Sequence, residues 1–130
     1  MIDMQTSIVR GAVALLITVL VAGCSGDPAQ PTPPSDPALT ITIDRNGATP
    51  RALTVARGSQ ITFVNNDSIT HQMYSDPHPE HTDCPEFDTV GSLAPGARRQ
   101  TTNLVTAGTC QFHDHLNFLN TTLRGVVTIR

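Results

Sequence analysis

All five histidines of this 130-residue chain lie in its second half, and two of them stand one residue apart in Gly108 to Asn117, Gly-Thr-Cys-Gln-Phe-His-Asp-His-Leu-Asn. A strand through this stretch would alternate faces, putting His113 and His115 on one side and Cys110, Phe112 and Asp114 on the other. A His-x-His pair is a compact two-nitrogen grip on a divalent metal, and it needs a third ligand from elsewhere. His71 is the best donor by sequence, with Asp114, His78, His81 and Met73 as further candidates. Imidazole and carboxylate ligands suit Cu(II) or Zn(II), with Cu(II) the tighter binder, while the thioether of Met73 would favour Cu(I). Each candidate has a plainer reading. His113 and His115 read equally as the polar face of an edge strand, Met73 as core packing, and His78 and His81 as solvent-facing residues among prolines and acids.

The elements that must position these residues are short strands. Leu39-Thr-Ile-Thr-Ile43 alternates apolar and polar, as a half-buried strand does. Asn46-Gly47 turns the chain, Leu53 and Val55 share one face of a second strand, and Ile61 and Phe63 share one face of a third. Asn65-Asn66-Asp67 ends that strand with residues that bond their own backbone. From Ser68 to Gly91 no periodicity survives, which predicts a long surface excursion. Strands are expected again over 99–105, 109–115 and 124–129. No helical stripe and no internal repeat occur, so the predicted class is all-β, a sandwich of about seven strands.

Residues 1–23 and 24–37 are set apart from this domain. Gly11 to Gly23 is nearly continuous Ala, Val, Leu and Ile after Arg10, the pattern of a secretory signal and short for a membrane span. Its end, Val21-Ala22-Gly23-Cys24, resembles the lipobox of bacterial lipoproteins. That resemblance implies lipidation of Cys24 and a mature protein hung from a membrane outside the cytoplasm, in the periplasm or on the cell surface. The Pro-rich segment that follows reads as a disordered tether, leaving 38–130 as the folded domain. With Cys24 assigned to lipid, Cys84 and Cys110 remain as an even pair in an oxidising compartment, which favours a disulfide over separate thiols or a thiolate ligand. A net charge of -3 gives no reason to expect nucleic acid, and Arg98-Arg99 reads as a solvated loop.

The order of these signals resembles the cupredoxins, the Greek-key β-sandwich copper proteins of the plastocyanin kind. Pro50-x-x-Leu53-x-Val55-x-x-Gly58-x-x-Ile61-x-Phe63-x-Asn65-x-Asp67 followed by His71 is similar to that family's first half. Leu93-x-Pro95-Gly96, then Gly108-Thr109-x-x-Phe112, and finally Leu123-Arg124-Gly125-x-Val127-x-Ile129 are similar to its second. The resemblance implies that His71 stands at the first copper ligand. The other three ligand positions depart from the pattern: Asp114 stands at the cysteine, Asn117 (or His115, if the loop slides) at the second histidine, and Leu123 at the methionine. A rival alignment uses Cys110-x-x-His113 as the Cys-His pair of a blue site, and would require Cys110 to leave Cys84.

On the preferred alignment the candidate ligands are His71, His113 and His115, with alternation setting a conflict. If Phe112 and Asp114 face inward, His113 and His115 face out. Either the strand bulges to turn them toward His71, or they line an outer face beside the long loop with His78 or His81 as third ligand. Asp114 reads equally as a structural partner accepting from His71, since a buried carboxylate needs one. The expected function is therefore a tethered domain that binds copper through histidines, with Zn as second metal, for copper handling or electron transfer. A redox or copper-transfer protein is the implied partner. The alternative is a metal-free structural or interaction domain of the cell envelope. No enzyme is expected: there is no nucleophile with a base, no phosphate loop and no paired catalytic carboxylates.

Overall fold

The computed structural model describes residues 36–130. The expected signal segment, Cys24 and most of the tether lie outside them. The first described element is a 3-10 turn, Pro37–Leu39, capped by the Asp36 side chain.

Nine strands form two mixed sheets among the described residues. One sheet holds β1 (Thr40–Asp44), β2 (Gly47–Thr49), β4 (Thr62–Asn65) and β7 (Arg98–Gln100) in the order β2-β1-β4-β7. The other holds β3 (Ala52–Val55), β5 (His71–Ser75), β6 (Gly91–Leu93), β8 (Gly108–Asp114) and β9 (Gly125–Ile129) in the order β3-β9-β8-β5-β6. A single helical turn, α1 (Pro85–Asp88), interrupts the long excursion. The β-sandwich class is as the sequence predicts, and the strand count exceeds the expected seven because several strands are only three residues long.

The alternating residues do what their pattern requires. Ile41, Ile43, Ile61 and Phe63 are fully buried between the sheets. Phe63, Phe87 and Phe112 meet edge to face, with ring centroids 5.3 Å apart for Phe63–Phe112 and 6.0 Å for Phe63–Phe87, the arrangement that the ring quadrupoles favour. Gly125 lies where a Cβ would run into the Phe112 ring and the Arg51 carbonyl. Asn65 ends β4 as expected: its side chain accepts from Asp67 N (2.8 Å) and donates to the carbonyls of Ile69 (2.7 Å) and Leu93 (2.9 Å). Cys84 and Cys110 form a disulfide across 26 residues, so the thiolate reading of Cys110, and with it the rival alignment, is removed.

Two expectations are corrected. Residues 71–75, read as part of a patternless excursion, are a central strand. Its inward residues are His71, Met73 and Ser75, two of them polar, so burial leaves no apolar alternation to read. The strand expected over 99–105 stops at Gln100. Arg98 and Arg99 accordingly sit exposed on a sheet edge rather than in a loop, where charge discourages pairing with another chain.

Candidate metal centre

β5 and β8 are antiparallel neighbours, with Met73 opposite Asp114 and Tyr74 opposite His113. Residues directly opposite in such a pair share a face. Met73 and Asp114 therefore look into the sandwich, while Tyr74 and His113 look out. The segment 76–81 folds back over this outer face. Asp76 N donates to Gln111 O at 3.0 Å, Asp83 N to Asp76 O at 2.8 Å, and His81 N to Pro77 O at 2.7 Å. His81 takes a left-handed backbone, φ 55, a conformation that costs on the order of 1 kcal/mol. Bonds from its backbone to Pro77 and between its Nδ1 and Ser75 O (2.8 Å) hold it there. β8 ends at Asp114, whose carboxylate caps the 3-10 turn His115–Asn117.

The consequence is a convergence of imidazoles. His78, His81, His113 and His115 offer ligand atoms that all lie within 4.8 Å of one another. Ring centroids are 4.8 Å apart for His78–His115, 5.0 Å for His81–His115 and 5.1 Å for His81–His113. Nδ1 of His78, Nε2 of His113 and Nδ1 of His115 are buried and have no hydrogen-bond partner. Buried polar atoms are normally paired, so three orphans on three residues of one cluster fit a group that bonds them. Burial lowers the His113 pKa below the ordinary imidazole value, against the opposing pull of Asp76, and burial beside His78 and His81 lowers that of His115. Neutral imidazole is the form that ligates. An all-imidazole donor set suits Cu(II), Zn(II) and related late divalent ions and disfavours Ca(II) or Mg(II).

Each ring is held by a separate contact. Asp76 Oδ1 faces His113 Nδ1 at 2.5 Å. The His78 ring stacks on Phe118 at 4.1 Å and 22°; the Arg124 guanidinium lies 4.2 Å from the Phe118 centroid and donates to the Phe118 carbonyl at 2.6 Å. Tyr74 packs against His81 and His115 at 4.6 and 5.4 Å.

Of the expected ligands His71, His113 and His115, the structure brings His113 and His115 together with His78 and His81 and places His71 elsewhere. His71 is 1 % exposed on the inner face, with Nδ1 2.8 Å from Asp114 Oδ2 and Nε2 3.2 Å from Asp67 Oδ2. Both of its nitrogens thus face carboxylate oxygens of Asp114 and Asp67. Asp114 also accepts from Gln72 N (2.8 Å), Leu116 N (3.2 Å) and Asn117 Nδ2 (2.6 Å). Met73 is packed into the core. The positions that the resemblance implied for copper, His71, Asp114 and Asn117, thus do meet, as a hydrogen-bonded trio rather than a ligand set. Between bulging toward His71 and facing outward, the two β8-end histidines face outward.

Sequence reasoning singled out neither Asp76 nor the ring-holding role of Phe118. The spacing His78-Pro-Glu-His81 was a usable signal, since two histidines three residues apart can close on one ion, but the flanking prolines and acids gave the segment the composition of a solvated loop.

No protein-family model matches the sequence, and no curated protein matches it. Solved structures do match in shape. A purple cupredoxin from Nitrosopumilus maritimus superposes with TM-score 0.53 at 17% identity, over 70% of this chain and 98% of that one. Oxidized plastocyanin from Dryopteris crassirhizoma gives 0.54 at 17%, over 70% and 99%. A mutant of amicyanin in its Cu(I) form gives 0.57 at 18%, over 75% and 87%. The chain has the cupredoxin fold.

Proposed function

We propose that this chain is an extracytoplasmic cupredoxin-like domain, tethered to a membrane through Cys24, that binds copper through His78, His81, His113 and His115 for copper handling or electron transfer rather than catalysis. The observation that carries the proposal is the convergence of the four imidazoles within 4.8 Å, with three of their nitrogens buried and unpartnered. Bound copper would supply one-electron chemistry. The protein supplies the grip: neutral nitrogen donors, rings fixed by Asp76, Ser75 O, Phe118 and Tyr74, and a cross-link between the chain segments that carry them. His78, His81 and His115 are only half-buried, which supports an ion that enters and leaves from outside and a redox or copper-transfer protein as partner. Zn(II) would be the competing ion.

A second reading is supported by the His71–Asp114–Asn117 trio: a metal-free interaction domain that kept the fold after losing the usual ligands. Cu(II) titration of the soluble domain, followed by absorption and EPR, separates the two. One weakly coloured copper per domain with nitrogen hyperfine structure is expected. It should be abolished by His78→Ala with His81→Ala, or by His113→Ala with His115→Ala, and retained in His71→Ala. An intense blue band would contradict the all-imidazole donor set, and no binding would establish the second reading.

A further inference from the structure

We propose that Asp76 is the positioning residue of this centre: it holds His113 as the Nδ1–H tautomer, so that the ligand atoms are Nε2 of His113 and His81 and Nδ1 of His78 and His115. This rests on the reading of the cluster as a metal site and adds which atom of each ring is presented. Neutral imidazole has one N–H and one lone pair, and the partner of one nitrogen decides the role of the other. Asp76 Oδ1 lies 2.5 Å from His113 Nδ1. A carboxylate can only accept, so Nδ1 carries the hydrogen and Nε2 the lone pair. His113 is fully buried, and that Nε2 is buried without a hydrogen-bond partner on a residue of the four-histidine cluster.

The same logic runs round the site. His81 Nδ1 sits 2.8 Å from the Ser75 carbonyl oxygen, another pure acceptor, which leaves Nε2 for the cluster. His78 and His115 are the reverse case: their buried, unpartnered atoms are Nδ1, and their rings meet aromatic neighbours, His78 stacked on Phe118 and His115 in an edge contact with Tyr74. The result is a mixed grip with two donors of each kind. Asp76 also places a negative charge behind one donor, which raises that imidazole's basicity toward a cation. Because Asp76 is two residues before His78, the residue that orients a ligand from β8 also begins the segment that delivers the first ligand from the loop. Its backbone is tied on both sides of Cα, its N–H donating to Gln111 O and its C=O accepting from Asp83 N.

Long-range proton–nitrogen NMR on uniformly 15N-labelled protein, metal-free and then loaded with Zn(II) as a diamagnetic probe, tests this directly. In the metal-free protein His113 should show a protonated Nδ1 and a bare Nε2. On loading, His113 and His81 should be metal-shifted at Nε2, and His78 and His115 at Nδ1. Asp76→Ala should erase the defined His113 tautomer and loosen Zn(II) about 10–100-fold. Asp76→Asn, which keeps an acceptor oxygen and loses the charge, should retain the tautomer and recover part of the affinity. A purely structural role for Asp76 would leave the tautomer unmoved in either variant. Wild-type protein with His113 protonated at Nε2, or with Zn(II) on its Nδ1, overturns the inference even if the variants fail to fold. If wild-type protein binds no Zn(II) or Cu(II), the metal-site reading fails, and the metal-free His113 tautomer still decides the role of Asp76.

Discussion

His71 Nδ1 and Asp114 Oδ2 lie 2.8 Å apart, with side chains 1 % and 0 % exposed, at the two positions that the resemblance to cupredoxins implies for the first histidine and the cysteine. Asp114 has three further donors around it, so its buried carboxylate is satisfied by hydrogen bonds within the chain. Removing His71 leaves a buried carboxylate short of a partner, which costs on the order of 3 kcal/mol. His71→Ala should therefore lower the stability read by denaturant unfolding by about that much, while copper stoichiometry is unchanged.

The disulfide Cys84–Cys110 joins the two chain segments that carry ligands: Cys84 follows His81 by three residues and Cys110 precedes His113 by three. Closing a loop of this length stabilises a domain by about 3.5 kcal/mol in the chain-entropy model. The paired substitution Cys84→Ala, Cys110→Ala should cost stability of that order in thermal unfolding. It should also weaken metal binding measured by competition with a chelator, because the loop then pays its ordering entropy when the ion binds.

Phe118 lies between the His78 ring and the Arg124 guanidinium. Phe118→Leu keeps much of the apolar volume and removes the flat surface on which His78 rests. Metal affinity should fall about 10-fold, with a stability loss of about 1 kcal/mol.

The downward shifts of His113 and His115 from the ordinary 6.5 fix the sign of a pH effect. Just below that value the unfolded chain binds protons that the folded domain refuses, so stability rises with pH across this window. The metal-free domain should lose stability as pH falls below about 6.5, level off once the folded-state histidines have themselves protonated, and show no change from these groups above it. Urea unfolding at stepped pH reads this out. Copper bound to the same nitrogens should extend the stable range toward acid, since the ion competes with the proton.

The sandwich was legible because its strands carry their signal in apolar residues: Ile41 and Ile43, Ile61 and Phe63, and Phe112 alternate inward as their spacing requires. β5 was not, because its inward His71 and Ser75 are satisfied by Asp114 and Asp88 rather than by apolar neighbours. At the site, strand alternation already put His113 and His115 on the face opposite Asp114. Which way the loop 76–81 folded, and so whether His71 or His78 and His81 stood near them, depends on contacts such as Asp76 to Gln111 and His81 to Ser75. Those are side-chain and backbone meetings between distant segments, and no local periodicity encodes them.

The most direct measurement is anomalous diffraction at the copper edge from crystals of the copper-loaded domain. A single peak enclosed by His78, His81, His113 and His115 is the expected result. A peak at His71 and Asp114 would contradict it and place the ion at the positions that the cupredoxin resemblance implies.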